Sequence, residues 1–238
     1  MPSFKYRSNC SEFLDADHIP FEDIKKNMEE LNFINTYLGG HKITIDGVAA
    51  LLRLNKINNR NLNIVEIGCG GGDNLRAIGD WAKRKNVGVK MAGIDINKEC
   101  IAYARSLEKN IGIEFIHSDY KGFDFATKPH IIFSSLFCHH FTDPQLIEMV
   151  HWMNRNAQLG FFINDLHRHP VAYYSIKGLT SAFSKSYLVK NDAPLSVLRG
   201  FKRDEWIHIL SAAGIRNFSC HWKWAFRWLI ISPSHANT

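Results

Sequence analysis

The residues of this sequence best suited to chemistry are an acid and several glycines, in the order Glu66-Ile67-Gly68-Cys69-Gly70-Gly71-Gly72. Glycines at alternate positions let the main chain turn sharply and approach a ligand more closely than any side chain would permit. An apolar run, Asn63 to Ile67, precedes the turn, and a segment that can begin a helix follows it. A strand, a glycine-rich turn and a helix in this order are typical of a nucleotide-type ligand site at the end of a parallel strand.

Two further acids follow the next two strands that the sequence predicts. Asp95 ends the second strand, where a carboxylate accepts hydrogen bonds from both hydroxyls of a ribose. Asp119 ends the third strand, where a carboxylate can accept from an exocyclic amine. Because the carboxyl ends of parallel strands meet at one edge of a sheet, we expect Glu66, Asp95 and Asp119 to converge on one crevice.

This arrangement resembles the class I S-adenosylmethionine-dependent methyltransferases over roughly Asn61 to Ile231. A nicotinamide-dinucleotide domain also has a glycine-rich turn and an acid after strand two, but Glu66 and Asp119 favour the methyltransferase. The resemblance implies S-adenosylmethionine as cofactor and S-adenosylhomocysteine as product. It implies these cofactor contacts: Gly68, Gly70 and Gly72 around the methionine part, Glu66 near its amino group, Asp95 at the ribose, Ile96 on the adenine, Asp119 and Tyr120 at the adenine amine, and Ser134, Ser135 and Leu136 beside the sulfonium.

The segment after the fourth strand, Ser134 to Phe141, indicates the subclass. It lacks the Asn/Asp-Pro-Pro-aromatic turn of enzymes that methylate amino groups of nucleic acids or of protein glutamine. Cys138 is in neither a Pro-Cys nor a Thr-Cys setting, so we interpret it as a small core residue rather than a nucleophile. The paired histidines followed by Asp143-Pro144 resemble small-molecule methyltransferases, including those of ubiquinone and menaquinone biosynthesis.

A more specific resemblance lies in the later segments Asn164 to Pro170, Ser184 to Ser186 and Asn191 to Phe201, and in the N-terminal segments Asn27 to Asn35 and Leu38 to His41. These resemble a bacterial methyltransferase group found with type III polyketide synthases. That resemblance implies a polyketide-derived or quinone-like aromatic acceptor, methylated on oxygen or carbon.

Four histidines, His139, His140, His167 and His169, follow strands four and five on the ligand side of the sheet. Histidine can act as a general base near neutral pH, although a carbon acceptor needs less deprotonation than a phenol. We take His139, His140, His167 and Asp165 as catalytic candidates, with a packing or hydrogen-bonding role at the helix entry as the alternative for His139 and His140. Arg168 is suited either to an acidic substrate group or to a structural ion pair. Aromatic residues that could line an apolar acceptor pocket are Tyr173, Tyr174, Phe183 and Tyr187.

Alternating elements must position these residues. Short apolar strands separated by helices predict a Rossmann-like, doubly wound α/β sheet of seven strands, mostly parallel with an antiparallel C-terminal strand. The expected strands are 62–67, 89–94, 113–117, 131–133, 160–164 and an aromatic hairpin over 218–231 that turns near Ala225; the expected helices are 74–85, 97–108, 143–156, 171–183 and 203–213. The period of two in Trp222, Trp224, Phe226 and Trp228 favours packing over a platform that stacks nucleic-acid bases.

We divide the chain into an N-terminal part, residues 1–60, and a methyltransferase domain, residues 61–238, with a substrate-cap insertion at about 166–200. Residues 1 to about 19 predict an extended arm, and a helix follows from Pro20 to Gly39-Gly40. A second helix is expected from Asp46 to Leu54. These helices could form a lid over the ligand or pack on a sheet edge.

The composition of the chain bears on its binding partners, its cysteines and its location. The net charge of +6 comes from dispersed Lys and Arg residues, which argues against a dedicated nucleic-acid surface. Five separated cysteines form no Cys-x-x-Cys pair and no metal-ligand cluster is spaced along the chain, so we expect no disulfides, no metal and a cytoplasmic location. The alternatives to a small-molecule enzyme are a tRNA or protein methyltransferase and a non-catalytic S-adenosylmethionine-binding scaffold. The insertion could also contact a membrane surface peripherally.

Overall fold

The structure, a computed structural model, describes residues 2–16, 19–57 and 61–234. The strands are β1 Leu62–Ile67, β2 Val89–Asp95, β3 Ile113–His117, β4 Ile131–Ser135, β5 Gly160–Leu166, β6 Ser219–Lys223 and β7 Arg227–Pro233. The α-helices are α1 Phe21–Tyr37, α2 Gly40–Leu54, α3 Asp73–Lys85, α4 Lys98–Ser106, α5 Asp143–Asn156, α6 Pro170–Phe183, α7 Tyr187–Arg199 and α8 Arg203–Ala212. The predicted domain boundary at residues 60 and 61 borders residues 58–60, which lie outside the described residues.

The strands form one sheet in the order β3-β2-β1-β4-β5-β7-β6. Strands β1 to β5 are parallel, and β7 runs antiparallel to both of its neighbours. The order reverses between β1 and β4, which places a crevice at the carboxyl ends of these strands. The predicted fold class is confirmed, including the antiparallel C-terminal strand and the turn near Ala225.

Each face of the sheet carries its own apolar layer, which is why the central strands are apolar throughout. On one face, α5 and α8 contribute Leu146, Met149 and Trp206. On the other face, α2 and α3 contribute Val48 and Leu75. Cys138 belongs to the first layer and is fully buried, as expected for a small core residue.

The second helix begins earlier than the sequence predicts. Gly39 has a φ of 77°, a left-handed conformation that ends α1 and leads directly into α2 at Gly40. Asp46, expected to cap this helix, lies inside it and pairs with Lys42 and Lys223 at 3.5 and 3.1 Å. The expected start was wrong because the two glycines separate two helices without any intervening loop.

The sequence Asp192-Ala193-Pro194 predicts a loop, and this prediction is also wrong, since α7 runs through it with Pro194 inside the helix. Pro194 removes one main-chain hydrogen-bond donor from the interior of the helix. At the start of the helix, the Ser186 side chain acts as the cap and accepts from the Val189 amide at 3.4 Å. Asp192 accepts from the Phe13 and Leu14 amides at 2.8 and 3.0 Å. The helix therefore anchors the N-terminal arm.

The aromatic residues of the hairpin divide between packing and exposure. Trp228 is buried and donates its Nε1 hydrogen to the Phe201 carbonyl at 3.0 Å. Trp222 and Trp224 are 46% and 69% exposed, so packing explains only part of the pattern. Among the helices of the described residues, none has the length and apolar character to cross a membrane.

Candidate active site

The carboxyl ends of β1, β2 and β4 border a cleft of about 710 Å³, and α1 with the end of the N-terminal arm lies over it. This volume is in the usual range of small-molecule sites. Six of the predicted cofactor residues line it: Glu66, Gly68, Gly70, Asp95, Ile96 and Ser135. Leu136, predicted to flank the sulfonium, also lines the cleft. The helix α1 therefore occupies the position expected of a lid, whereas α2 packs on the sheet.

The turn after β1 requires glycine at two positions. Gly68 and Gly70 have φ values of 68° and 48°, and a Cβ atom on Gly68 would overlap the ring of Phe137. The Gly70 amide donates to Asp95 Oδ2 at 2.9 Å, and the Asn97 amide donates to Asp95 Oδ1 at 2.8 Å. Asp95 thus ties the two strand ends together, and its burial raises its pKa.

Glu66 is 1% exposed and is only half satisfied. Its Oε1 accepts from Asn74 Nδ2 at 3.0 Å, while its Oε2 is buried without a hydrogen-bond partner among the described residues. Burial, with the negative charges of Asp73 and Asp95, raises the pKa of Glu66 well above its usual value. A buried, unpartnered carboxylate oxygen on the cleft is suited to a cationic donor, such as an ammonium group.

Four predicted cofactor residues lie outside the cleft lining. Gly72 packs behind the turn, against Phe115, and Ser134 is buried beside Cys138. Asp119 is exposed and caps a short 3-10 helix by accepting from the Lys121 amide at 3.0 Å. The side chain of Tyr120 enters the core, where it packs edge-on against Phe137 and Trp152. The contacts expected of these four residues therefore stay predictions.

A second cavity, of about 300 Å³, adjoins the cleft. Four residues line both spaces: Leu14, Leu31, Leu136 and His140. Its walls are apolar side chains of α1, α6 and α7, among them Ile34, Leu38, Ala172, Ile176, Leu179, Val189 and Val197. The insertion at about 166–200 thus supplies a large part of this cavity.

His139 and Asp165 form a buried pair beside the cavity. His139 Nδ1 lies 2.8 Å from Asp165 Oδ1, and the two side chains are 3% and 0% exposed. Burial alone would raise the pKa of Asp165, but the attraction of His139 and their hydrogen bond outweigh it and lower that pKa. His139 lines the cavity, and Asp165 lies behind it. The carboxylate can therefore fix the orientation of the ring without itself facing the cavity.

His140 occupies the junction of the cavity and the cleft. Its Nδ1 lies 2.8 Å from Asp15 Oδ1, and its Nε2 lies 3.8 Å from Glu12 Oε2. Burial, opposed by His140 and other partners, raises the pKa of Glu12 to about 7. The N-terminal arm thus brings two carboxylates to the paired histidines.

The other polar candidates of the insertion are directed elsewhere. His167 accepts a hydrogen bond at Nδ1 from Trp222 Nε1 at 3.2 Å and does not line the cavity. Burial and the neighbouring His169 and Arg168 lower the pKa of His167 to about 4. Arg168 makes the structural ion pair, with Glu205 at 2.6 Å. The role predicted for His167 at the acceptor therefore receives no support from its position.

The aromatic residues expected to line the acceptor pocket are not among its lining residues. Tyr173 and Tyr174 pack against Phe4 of the arm. Phe183 and Tyr187 are 79% and 51% exposed. On α6, the face that meets the cavity carries Ala172, Ile176 and Leu179 at helical spacing, so Tyr173 and Tyr174 fall on the adjoining face.

Two charged residues of the cavity have no signal in the sequence. Glu12 lies in a polar arm that resembles a flexible terminus. Arg227 lies in an aromatic hairpin, yet it is 3% exposed and lines the cavity. Its Nη2 donates to Asn35 Oδ1 at 2.9 Å, and its Nη1 has no partner in the described part of the chain. Only a contact between distant segments could have revealed either residue.

Comparisons with known proteins agree with this geometry. Residues 64–160 match the family model described as a methyltransferase domain. None of the curated proteins compared with the sequence matches it. Among solved structures, the plantazolicin methyltransferase BpumL in complex with SAH is similar, with 19% identity, a TM-score of 0.64, and coverage of 94% of this chain and 92% of that chain.

Two further solved structures share the fold. Human N-acetylserotonin methyltransferase in complex with SAM has 16% identity and a TM-score of 0.63, over 91% of this chain and 57% of that chain. Magnesium protoporphyrin IX methyltransferase from Synechocystis PCC 6803, with bound SAH, has 14% identity and a TM-score of 0.56, over 89% of this chain and 96% of that chain. Residues 64–160 therefore match a methyltransferase domain, and the chain shares the Rossmann-like fold of these methyltransferases, which agrees with the S-adenosylmethionine-dependent enzyme class predicted from its sequence.

Proposed function

We propose that this protein transfers the methyl group of S-adenosylmethionine to a small, largely apolar aromatic acceptor, of polyketide or quinone type, and releases S-adenosylhomocysteine. The observation that carries this proposal is the apolar cavity of about 300 Å³ that adjoins the cleft at Leu136 and His140. The aromatic class comes from the resemblance of three segments to enzymes found with type III polyketide synthases: Asn164 to Pro170, Ser184 to Ser186 and Asn191 to Phe201.

The cleft residues fit the cofactor in chemical type. The free, buried oxygen of Glu66 suits the ammonium of the methionine part, and the carboxylate of Asp95 suits the ribose hydroxyls. Ile96 is 66% exposed at the cleft, an apolar surface suited to the adenine. Ser135 lines the cleft near Leu136, where we assign the sulfonium. S-adenosylmethionine is the methyl donor in this assignment.

The junction of the two spaces is the position for methyl transfer. The reaction is an in-line displacement, which requires the acceptor atom to lie about 3 Å from the methyl carbon along the sulfur–carbon axis. An acceptor in the cavity can approach a sulfonium in the cleft only past the residues that line both, such as Leu136 and His140. His139, oriented by Asp165, and His140 form the basic end of the cavity, where a hydroxyl acceptor would lose its proton.

The cavity favours a small molecule over the two alternatives. A tRNA or protein acceptor would have to insert a single base or side chain into a space walled by Leu31, Ile176 and Val197. A non-catalytic scaffold would have no need of this second cavity or of the buried His139–Asp165 pair. Arg227, with a free Nη1 at the cavity, adds a donor suited to an acceptor oxygen.

The proposal is tested by incubating the protein with methyl-labelled S-adenosylmethionine and separate pools of phenolic polyketides, reduced quinones, tRNA and protein. We expect label in a phenol or quinol, with one equivalent of S-adenosylhomocysteine per methyl group transferred. Label found only in tRNA or protein would refute the small-molecule assignment.

A variant that fills the cavity separates acceptor binding from cofactor binding. Ile176→Trp adds bulk to the wall formed by α6, so methylation should fall while the affinity for S-adenosylhomocysteine stays the same. Ile111→Trp is the matched control, because Ile111 is 86% exposed and lies outside the cavity. Equal methylation rates for the two variants would contradict the placement of the acceptor.

Peripheral contact of the insertion with a membrane stays a hypothesis, suggested by the exposed side chains Tyr174, Phe183 and Tyr187. Such a contact would allow the enzyme to collect a lipophilic acceptor. Co-sedimentation with anionic liposomes tests it, and recovery of all protein in the supernatant would contradict it.

A further inference from the structure

Three side chains that no sequence motif connects meet at the basic end of the cavity. Glu12 comes from the N-terminal arm, and His139 and His140 come from the turn after β4. His139 Nε2 lies 3.6 Å from Glu12 Oε1, and His140 Nε2 lies 3.8 Å from Glu12 Oε2. One ligand atom from each residue lies within 4.8 Å of the other two. Both separations are too long for hydrogen bonds, so the histidine nitrogens face the carboxylate without binding it directly.

Each of the three side chains is held by a second polar group. Asp165 accepts from His139 Nδ1 at 2.8 Å, and Asp15 accepts from His140 Nδ1 at 2.8 Å. Ser196 Oγ donates to Glu12 Oε1 at 2.8 Å. With the protons on Nδ1, both Nε2 lone pairs are directed at the same carboxylate. Proteins commonly orient the ligands of a metal ion in this way: each histidine ligand donates to a carboxylate, and the carboxylate ligand accepts from a further donor.

The charged groups around the cluster favour the binding of a cation. The acidic groups near the cluster are Glu12, Asp15, Asp165 and Asp192, and the guanidinium groups near it are those of Arg7 and Arg199. Arg199 packs against the cluster directly. Its Nε donates to the His139 carbonyl at 3.0 Å and its Nη1 lies 3.0 Å from Asp15, while its closest approach to Glu12 is 3.9 Å. Acidic groups therefore outnumber guanidinium groups around the cluster, which favours a bound cation.

We propose that Glu12, His139 and His140 bind a divalent cation of the zinc type at the end of the acceptor cavity. Two imidazoles and one carboxylate are a ligand set of catalytic zinc sites. A tetrahedral ion with bonds of about 2.0–2.2 Å needs ligand atoms about 3.3–3.5 Å apart. The separations of 3.6 and 3.8 Å to the two Glu12 oxygens, and of up to 4.8 Å within the group, therefore have to close by at most about 1.5 Å when the ion binds. The sequence does not indicate this site because the arm and the paired histidines are far apart, Asp15 lying 125 positions before His140.

The role of the ion rests on the proposed function, and with the ion bound it takes the place of a histidine base, because an imidazole nitrogen that binds a metal cannot accept a proton. All three ligands line the cavity, so the open position of a three-ligand site is accessible to an acceptor hydroxyl. An ion-bound hydroxyl releases its proton to water more readily, because the cation stabilises the oxygen anion. The oxygen then forms its bond to the methyl carbon as the sulfur–carbon bond breaks, and the bonding electron pair stays on the sulfur of S-adenosylhomocysteine.

The test uses zinc and cobalt ions alone, added to the full-length protein after chelator treatment and dialysis. We expect one equivalent of Zn²⁺ per chain by titration calorimetry, and a visible absorption band with Co²⁺ in the same site. Glu12→Gln and His140→Ala should each abolish the stoichiometric binding, and Asp15→Asn should weaken it about 10–100-fold as loss of an outer partner does. The matched control is His151→Ala, since His151 is an exposed histidine of α5 outside the cluster.

A cooperative thermal unfolding transition, measured on the same samples, verifies that each variant is folded; affinity for S-adenosylhomocysteine does not serve this purpose, because Asp15 and His140 line the cofactor cleft. The site is refuted if the wild-type protein binds neither ion, or if folded Glu12→Gln and His140→Ala variants bind it as well as the wild type. Its role in the reaction is refuted if the ion binds but chelator-treated protein methylates the acceptor at the full rate. Failure of the proposed function is distinguishable, since it would leave ion binding intact while no small-molecule acceptor is methylated.

Discussion

Replacement of Glu66 by glutamine is the most direct test of how the cleft holds its cofactor. The change preserves the size of the side chain and its acceptor for Asn74 Nδ2, which donates at 3.0 Å. It removes the charge at Oε2, the buried oxygen that no described residue satisfies. A hydrogen bond to a charged group contributes about 1.5–3 kcal/mol. We therefore expect affinity for S-adenosylmethionine to fall about 10–150-fold, since 1.4 kcal/mol corresponds to a factor of ten.

The same substitution should change how binding depends on pH. Burial, with Asp73 and Asp95 nearby, raises the pKa of Glu66 in the free protein. A bound ammonium favours the ionised carboxylate and lowers that pKa, so binding releases a proton and affinity rises with pH until the carboxyl of the free protein is ionised. Titration calorimetry in buffers of different ionisation enthalpy should detect this proton for the wild type and not for Glu66→Gln.

Two comparisons make the result decisive. Glu99→Gln removes a carboxylate that also lines the cleft but is partly exposed, and it should bind the cofactor nearly as well as the wild type. Glu66→Gln should be no less stable than the wild type above the ordinary glutamate pKa, because ionising a carboxyl whose folded pKa is raised costs stability as the pH rises. If folded Glu66→Gln binds within about threefold of the wild type and the wild type releases no proton, the carboxylate does not contact the ammonium.

Three further predictions concern the acceptor side and the fold. Asp165→Asn should lower the methylation rate about 10–150-fold through loss of a charged hydrogen bond, with unchanged affinity for S-adenosylhomocysteine, since Asp165 does not line the cleft. Gly47→Ala places a Cβ atom 2.5 Å from the buried ring of Phe162 and should lower the free energy of unfolding, measured in urea, by about 1–3 kcal/mol. Gly178→Ala is the control: the site has open space around it, so the free energy of unfolding should rise by up to about 1 kcal/mol. The fold disfavours the charged form of His167, whose pKa is lowered to about 4. The free energy of unfolding should therefore decrease as the pH falls from about 6.5 to 4. His167→Gln should flatten that part of a profile of melting temperature against pH.

The strands were predictable because each carries its own signal. A buried parallel strand such as Ile131–Ser135 is apolar regardless of its partners, and the turns between the elements are marked by glycine, proline or acids. The sheet order then follows from the resemblance to a known fold. The helix boundaries were less predictable where a residue type is compatible both with the end of a helix and with its continuation. Gly39 and Pro194 both indicate an interruption, yet Gly39 joins two helices directly and Pro194 lies within one.

The cofactor side of the site was also predictable, for a local reason. Glu66 and Gly70 lie four positions apart in one strand–turn unit, and Asp95 ends the strand that pairs with β1. A residue at a strand end is placed by the strand itself, so its position can be inferred before any packing is known. Tyr120 marks the limit of this reasoning, since the end of a strand fixes the main chain but not the direction of the side chain, which enters the core.

The acceptor side differs because no single segment defines it. His139 lies in the turn after β4, but the groups that give its ring a direction come from the end of β5 and from an arm near the N-terminus, through Asp165 and Glu12. The arm in turn is held by α7, where Asp192 binds its main chain. None of these residues is distinctive within its own segment. The buried basic end of the apolar cavity forms only because the fold brings the segments into contact. If the cavity holds the acceptor as we propose, its recognition depends on these long-range contacts. A change of acceptor would then have to occur in the arm and in the α6–α7 insertion, while the cofactor turn stays the same.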